Sequence, residues 1–224
     1  MSGFLTIKRY KYATIYVDQA SRFSFVWLQK TATAEETLEG KTAFEQYAKE
    51  RGVTVQAYHA GNGIFKAYKW LTACKEKGQS LSFAGVNAHH QNGIAERCIR
   101  TLQELTRTML IHANHRWPKA VTTNLWPYAL RMANDVMCET PHMQHPQKLT
   151  PQQVFSKTKV QPNPKHWKPF GCPTYVLDGK LQSGTGIFHK WKQRSRVGIY
   201  LGRLPQHARS LAHSGHWTSK STVP

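Results

Sequence analysis

The chain has 224 residues, of which 40% are hydrophobic, so it is long enough to bury the core of one ordinary domain. Its 31 lysines and arginines stand against 12 aspartates and glutamates, and the formal net charge of +19 favours a polyanionic partner, with nucleic acid the first candidate. No apolar run approaches the ~20 residues of a membrane-spanning helix, nothing resembles a signal peptide, and the four cysteines form no C-x-x-C pair. We therefore expect a cytoplasmic or nuclear protein.

The first predicted elements are two strands that form a hairpin. Residues 12–18 and 23–30 are rich in β-branched and aromatic side chains, and residues 20–22 are few enough for a turn between them. The periodicity then predicts, in chain order, a helix at 33–50, a strand at 53–59, a helix at 65–77, a strand at 81–86, a long helix to about 115, and a helix from 117–118 to about 138.

Beyond residue 139 the pattern changes, because seven prolines interrupt the chain between positions 141 and 173. A short helix near 151–155 and strands at 174–177 and 197–201 are predicted there. We therefore expect an α/β fold, with a mixed sheet flanked by helices over 10–140, a proline-rich connector and small β-containing appendage over 141–205, and a disordered tail over 206–224.

Two acidic residues stand at positions that suit metal chemistry. Asp18 closes the first strand, and Glu96 opens the long helix behind a glycine-containing loop. Carboxylate oxygens are the ligands that Mg²⁺ prefers, and pairs of such ions support phosphoryl transfer. The alternatives are a turn-forming role for Asp18 and, for Glu96, a first-turn acid stabilised by the helix dipole.

Three segments resemble, in order and spacing, the integrase core of copia-type LTR retrotransposons: 12–22 (YATIYVDQASR), 58–65 (YHAGNGIF) and 89–97 (HHQNGIAER). Residues 101–110, 168–172 and 195–202 continue the resemblance, which covers about residues 10–205. It implies a ribonuclease-H-like fold and DNA integration by 3′ processing and strand transfer, with Mg²⁺ or Mn²⁺ as cofactor. It also implies DNA partners, namely the element ends and a target duplex, and makes a homodimer plausible.

The resemblance further implies an Asp, Asp, Glu ligand set, of which Asp18 and Glu96 match the first and third members. The second position is Gly61, where the family has aspartate. His59 is a poor substitute because imidazole suits softer metals than Mg²⁺, whereas Asn62 offers only a neutral oxygen. The motifs therefore predict a catalytically impaired fragment, without the family's upstream zinc module, that binds metal weakly.

Nucleic-acid contacts are predicted in three places: the loop before Glu96, the helix face that carries Glu96, and a basic, tryptophan-containing cluster after the core. The alternatives are simple solvent exposure of the loop, a solvated helix face paired through Glu104 and Arg107, and tryptophans that belong to the core. The candidate residues are His89, Gln91, Asn92, Arg97, Arg100, Gln103, Arg107, Lys168, Lys190, Lys192 and Arg194.

A second metal pattern is weaker. Cys138, His142 and His145 lie within eight residues, but no fourth zinc ligand follows at a suitable spacing. The leading hypothesis is thus a degenerate integrase core. The alternatives are a nucleic-acid-binding remnant without chemistry and an unselected product without a role.

Overall fold

The computed structural model describes residues 9–61, 63–85, 89–142, 145–159, 165, 167–177, 181, 190–191, 193–204 and 207–213, with only the backbone at 89–90, 204 and 207–213. The helices are α1 Ala34–Lys49, α2 Tyr68–Glu76, α3 Gly93–Arg116, α4 Trp126–Glu139 and α5 Pro151–Ser156. The strands are β1 Tyr12–Val17, β2 Ser24–Gln29, β3 Ala57–Ala60, β4 Ser80–Phe83, β5 Pro173–Leu177, β6 Ser195–Leu204 and β7 His207–His213.

The strands form three small sheets. β1 and β2 pair antiparallel across the predicted turn, β3 and β4 pair parallel, and β5, β6 and β7 form an antiparallel sheet. Strands of both orientations are present, as predicted. Within the described residues, however, no hydrogen-bonded ladder joins β1 to β3, so the expected mixed sheet is divided into two halves.

Helix α1 holds these two halves together. Its N-terminus is capped by Thr33, whose side chain accepts from the Glu36 amide, which satisfies a backbone donor that has no partner inside the helix. Phe44 of α1 stacks on Tyr16 of β1 with ring centroids 5.1 Å apart, and Tyr58 of β3 approaches the same tyrosine at 6.5 Å. The aromatic core beneath α1 therefore connects the two sheet halves without main-chain pairing.

Helices α3 and α4 cover the opposite face of β1 and β2. Leu102 of α3 and Leu130 of α4 are fully buried, and they pack with Ala13 and Leu28 of the hairpin. Thr106 of α3, which is only 7% exposed, lies on the same buried side of the helix as Leu102. This packing leaves the other side of α3 in solvent.

The predicted start of the second long helix was wrong. The sequence contains two Trp-Pro pairs, and the helix starts at Trp126 with Pro127 in its first turn, not at residues 117–118. Trp117 instead caps the C-terminus of α3. The helix begins at the second pair because only that pair is followed by apolar residues at helical spacing. The tail expected to be disordered contains β7, whereas residues 214–224 lie outside the described part.

The C-terminal sheet is packed against the main core. Tyr200 and Leu201 of β6 are buried against Met132 of α4 and Ala113 of α3. The appendage is therefore held on the α3–α4 pair by a shared apolar cluster. In the described residues no helix is both long and apolar enough to cross a membrane.

Candidate metal and nucleic-acid-binding site

The Asp18 carboxylate accepts hydrogen bonds from the turn that follows it. Its Oδ2 accepts hydrogen bonds from the Ser21 amide at 2.7 Å and the Ser21 hydroxyl at 2.6 Å. The Asp18 amide donates to the Phe23 carbonyl at 2.8 Å, and the Arg22 amide donates to the Asp18 carbonyl at 2.9 Å. These bonds are typical of an aspartate that stabilises a turn.

This turn lies at the C-terminal end of α1. Phe23, at the start of the second hairpin strand, stacks on Tyr47 near the end of the helix with centroids 5.5 Å apart. At the far end of β2, the Gln29 side chain donates to the Thr37 hydroxyl in the first turns of α1 at 3.1 Å. β2 and α1 therefore run antiparallel, and the Asp18 turn is beside the last turns of the helix.

Gly61 lies at the other end of α1. The segment that leads into β3 starts beside the helix C-terminus, where the Val53 amide donates to the Ala48 carbonyl at 2.9 Å. The strand then runs back along α1, and after Gly61 the chain enters α2, whose Lys69 pairs with Glu35 in the first turn of α1 at 2.5 Å. The segment that follows Gly61 is thus near the N-terminal end of α1.

The segments that carry these two positions contact α1 far apart. Tyr47 and Glu35 are twelve residues apart on one helix, which corresponds to ~18 Å of rise. The structure therefore does not bring Asp18 next to position 61, and it favours the turn-forming alternative for Asp18. A side chain at position 61 has room, because a Cβ built on Gly61 meets nothing within 4 Å.

Glu96 lies in the first turn of α3, and this helix begins near the end of the sheet at which Gly61 lies. The Ala84 amide, just after β4, donates to the Ala60 carbonyl at 3.0 Å, and the Gly85 amide donates to Oε1 of Gln91 at 2.7 Å. Glu96 follows one turn into α3 and is exposed. Gln91, predicted to contact DNA, thus anchors the loop before the helix to the end of β4.

The described residues do not fit a two-magnesium site. No group of three or more His, Cys, Asp or Glu side chains that could hold a metal ion occurs among them. Gly61 supplies no ligand, and Oδ2 of Asp18 already accepts two hydrogen bonds. The weaker zinc pattern fits no better, because the Cys138 thiol is buried and lies 3.5 Å from the Ser24 amide and hydroxyl.

The exposed side of α3 is basic, as the spacing predicted. The helix carries four arginines against two glutamates, and Arg97, Arg100, Gln103 and Arg107 are all exposed. Since α3 is anchored by Leu102 on its buried side, these side chains project from a fixed backbone. Such a face can contact several phosphates along one groove or strand.

The two tryptophans of the post-core cluster behave differently. Trp167 is partly buried and packs against the core: its indole N–H donates to Glu139 at 3.1 Å, and Arg203 covers the ring at 4.3 Å. Trp191 is 90% exposed, with Lys190 5.5 Å from its ring centre. The core alternative therefore holds for the first ring, and the second is free to stack.

The remaining candidate nucleic-acid-binding residues are partly exposed and partly outside the described residues. Lys168 and Arg194 are exposed, and Asn92 is at the N-cap of α3 without a side-chain capping bond. Asn62, Lys192 and the side chain of His89 lie outside the described residues.

Three basic residues form a group that the motifs did not single out. Arg22, His142 and His145 line one surface pocket beside the Asp18 turn. The two histidines were considered only as zinc ligands, and no local pattern links them to Arg22, which is 120 positions away in the chain.

Comparisons with known proteins bear on the family. No protein-family model matches the chain. It is 27% identical over 204 residues to the Retrovirus-related Pol polyprotein from transposon RE2 of Arabidopsis thaliana, and 24% identical over 203 residues to that from transposon RE1. Each alignment covers 90% of this chain but 13% of the relative, so the chain spans a small part of these polyproteins.

Among solved structures, the simian T-cell lymphotropic virus intasome in complex with PP2A regulatory subunit B56 gamma has a TM-score of 0.53 and 15% identity, over 95% of this chain and 72% of that chain. The HTLV-2 integrase catalytic core domain in complex with magnesium has a TM-score of 0.49 and 20% identity, over 69% and 90% of the two chains.

The first of these structural likenesses, taken with the helices and sheets described above, confirms the predicted α/β, ribonuclease-H-like fold. Over 90% of its length, the chain is similar to a segment of the Retrovirus-related Pol polyproteins from transposons RE1 and RE2. The resemblance read from the motifs is therefore confirmed.

Proposed function

We propose that this domain binds nucleic acid through the exposed face of α3 and the cations after the core, and that it does not catalyse metal-dependent phosphoryl transfer. DNA integration, with 3′ processing and strand transfer, is then the activity of its ancestors. The observation that supports the second part of this proposal is that the Asp18 turn contacts the C-terminal part of α1, whereas the chain after Gly61 contacts its first turn.

The argument against catalysis is one of geometry and charge. Two Mg²⁺ ions need several carboxylate oxygens converging within ~2 Å of each ion. Here position 61 has no side chain and Asp18 holds its own turn. Glu96 contributes one exposed carboxylate, and one carboxylate supports at most weak and poorly placed Mg²⁺ or Mn²⁺ binding.

The argument for nucleic-acid binding rests on features that do not involve the metal ligands. The net charge of +19 attracts polyanions at long range, and the arginines of α3 are positioned by a buried helix face. Trp191 adds an exposed ring that can stack on a base, beside Lys190. None of these features depends on metal ligands, so binding outlasts the loss of chemistry. A homodimer stays a prediction.

Fluorescence anisotropy with a mixed-sequence DNA duplex, at several salt concentrations, tests the binding. We expect log K to fall linearly with log salt, because phosphate contacts release counterions. A parallel strand-cleavage assay in Mg²⁺ and Mn²⁺ is expected to give no product. Metal-dependent product that Glu96→Gln abolishes would overturn the proposal and favour a working integrase core. A duplex affinity that does not depend on salt would also contradict it.

A further inference from the structure

A pocket of about 170 Å³ opens beside the hairpin turn, at the end of the molecule opposite to Gly61. Ser21 and Arg22 of the turn line one side, and His142 and His145, which follow α4, line another. The volume is roughly ten times the ~10–15 Å³ that one water molecule needs, so the pocket has room for a small polyatomic ion with water.

The charged and aromatic nitrogen groups of the lining are basic, and Ala20, Pro146, Leu149 and Val154 form its apolar part. A guanidinium and two imidazoles share the pocket, and no carboxylate is among its described lining residues. The Gln147 amide donates to Nδ1 of His145 at 3.3 Å, which leaves Nε2 as the hydrogen-bond donor of that ring. Two acids are close in sequence to these basic groups: Asp18, whose Oδ2 already accepts from the Ser21 amide and hydroxyl, and Glu139, which pairs with Arg203.

The backbone that carries these groups is held in place on both sides. Arg22 has a φ of 62°, a left-handed conformation that a non-glycine residue keeps only where its surroundings fix it, and Phe23 beside it stacks on Phe155 at 4.4 Å. On the other side, the His142 amide donates to the Leu149 carbonyl at 3.1 Å. The basic groups therefore meet on a preformed frame.

We propose that this pocket binds a phosphate group of a nucleic-acid backbone, with Arg22 as the principal ligand and His142 and His145 as further donors. The inference rests on the nucleic-acid binding proposed above. Guanidinium and imidazole groups recognise the same tetrahedral oxyanion in a phosphodiester and in free phosphate. A contact here would fix the duplex at a second point, separate from the α3 face.

Inorganic phosphate tests the pocket without DNA. NMR of imidazole-labelled protein should show that phosphate shifts the resonances of His142 and His145 in a saturable way, whereas chloride at equal ionic strength does not. Arg22→Asn should weaken the phosphate affinity about tenfold, since a charge-assisted bond is lost. Asparagine tolerates positive φ, so this variant keeps the turn. Arg22→Lys, which keeps the positive charge, should bind phosphate more tightly than Arg22→Asn and less tightly than the wild type.

Duplex DNA then distinguishes the two sources of phosphate. Arg22→Asn should lower the duplex affinity and reduce the salt slope by about one, whereas Lys30→Gln, which removes one exposed charge at the other end of β2, should change the affinity less. If phosphate shifts the histidines but Arg22→Asn leaves duplex binding unchanged, the pocket takes only free phosphate and the proposal fails. If phosphate shifts the resonances of neither histidine, the pocket proposal fails while the proposal for the α3 face stands. If the wild type binds no duplex, the proposed function fails as well.

Discussion

Asp18 and Gly61 lie at opposite ends of α1, although the motifs assign both to one metal site. The Asp18 turn is beside Tyr47 and the chain after Gly61 is beside Glu35, twelve residues earlier on the same helix. A motif read along the chain gives the order of residues but not the direction of each strand. The antiparallel hairpin carries Asp18 away from the end at which β3 finishes.

The first prediction concerns Asp18 as a turn residue. Asp18→Ala should lower the free energy of unfolding by about 1–2 kcal/mol, because the Ser21 amide and hydroxyl lose their acceptor. Asp18→Asn, which keeps an acceptor oxygen, should cost less. Urea denaturation measures both. The opposite result would be a Mg²⁺-dependent stabilisation of the wild type that Asp18→Asn removes, as expected of a metal ligand.

The second prediction is that Gly61→Asp folds but does not create an integrase. The new side chain meets open space, and position 61 is not in the left-handed region, so stability should change by less than ~0.5 kcal/mol. With Asp18 remote, we expect no Mg²⁺- or Mn²⁺-dependent strand transfer. Recovery of strand transfer in this variant, lost again in the Gly61→Asp, Glu96→Gln double variant, would show that the site can assemble.

The third prediction concerns the α3 face. Arg100→Gln combined with Arg107→Gln should weaken duplex binding at low salt and reduce the salt slope by roughly two, one for each lost phosphate contact. Both side chains are exposed, so the melting temperature should stay unchanged. Glu104→Gln, an exposed change on the same helix that removes a negative charge, is the control and should strengthen binding slightly. Equal salt slopes in all three proteins would argue against this face.

The fourth prediction concerns a buried ion pair. Lys41, only 1% exposed, donates to Oε1 of Glu45 at 2.7 Å, and Tyr58, Lys77 and Gln79 donate to the same carboxylate. Glu45→Gln should therefore lower the free energy of unfolding by about 3 kcal/mol, because it leaves the Lys41 ammonium buried without a counter-charge. Glu39→Gln, exposed on the same helix, should have little effect in the same urea titration.

The pH dependence of the same pair follows from its pKa. Burial alone would raise the pKa of Glu45, but hydrogen bonds from Lys41, Lys77, Gln79 and Tyr58 outweigh it and lower the pKa to about 2. The unfolded value is ~4.3, so this contribution is complete above that pH and is lost as the pH falls towards 2. The gap in stability between the wild type and Glu45→Gln should narrow over that range. A constant gap would refute the assignment.

Local pattern was sufficient to predict most of the helices and strands, because a spacing such as that of Leu102 and Thr106 in α3 reflects one buried side of a helix. It was not sufficient where two similar signals compete, as in the two Trp-Pro pairs, or where exposure depends on distant neighbours, as for Trp167 and Trp191. The direction of β1 relative to β3 and the meeting of Arg22 with His142 arise only from tertiary packing.

The last prediction concerns Asp135 in α4. Burial raises the pKa of this carboxyl to about 7, with Glu139 adding to the rise and Arg203 and Arg131 opposing it. An unfolded aspartate ionises near ~3.9, so the folded state loses stability as the pH rises from about 4 to 7, and the loss is complete above 7. Asp135→Asn resembles the protonated form and escapes this loss.

Asp135→Asn and the wild type should therefore be equally stable near pH 4, and the variant should be more stable by about 2–4 kcal/mol at pH 8. Parallel urea titrations at the two pH values measure this difference. Glu104→Gln is the control, because its side chain is exposed and its effect should not change with pH in this way. Equal stability at pH 8 would mean that Asp135 is ionised at little cost, with Arg203 as its counter-charge.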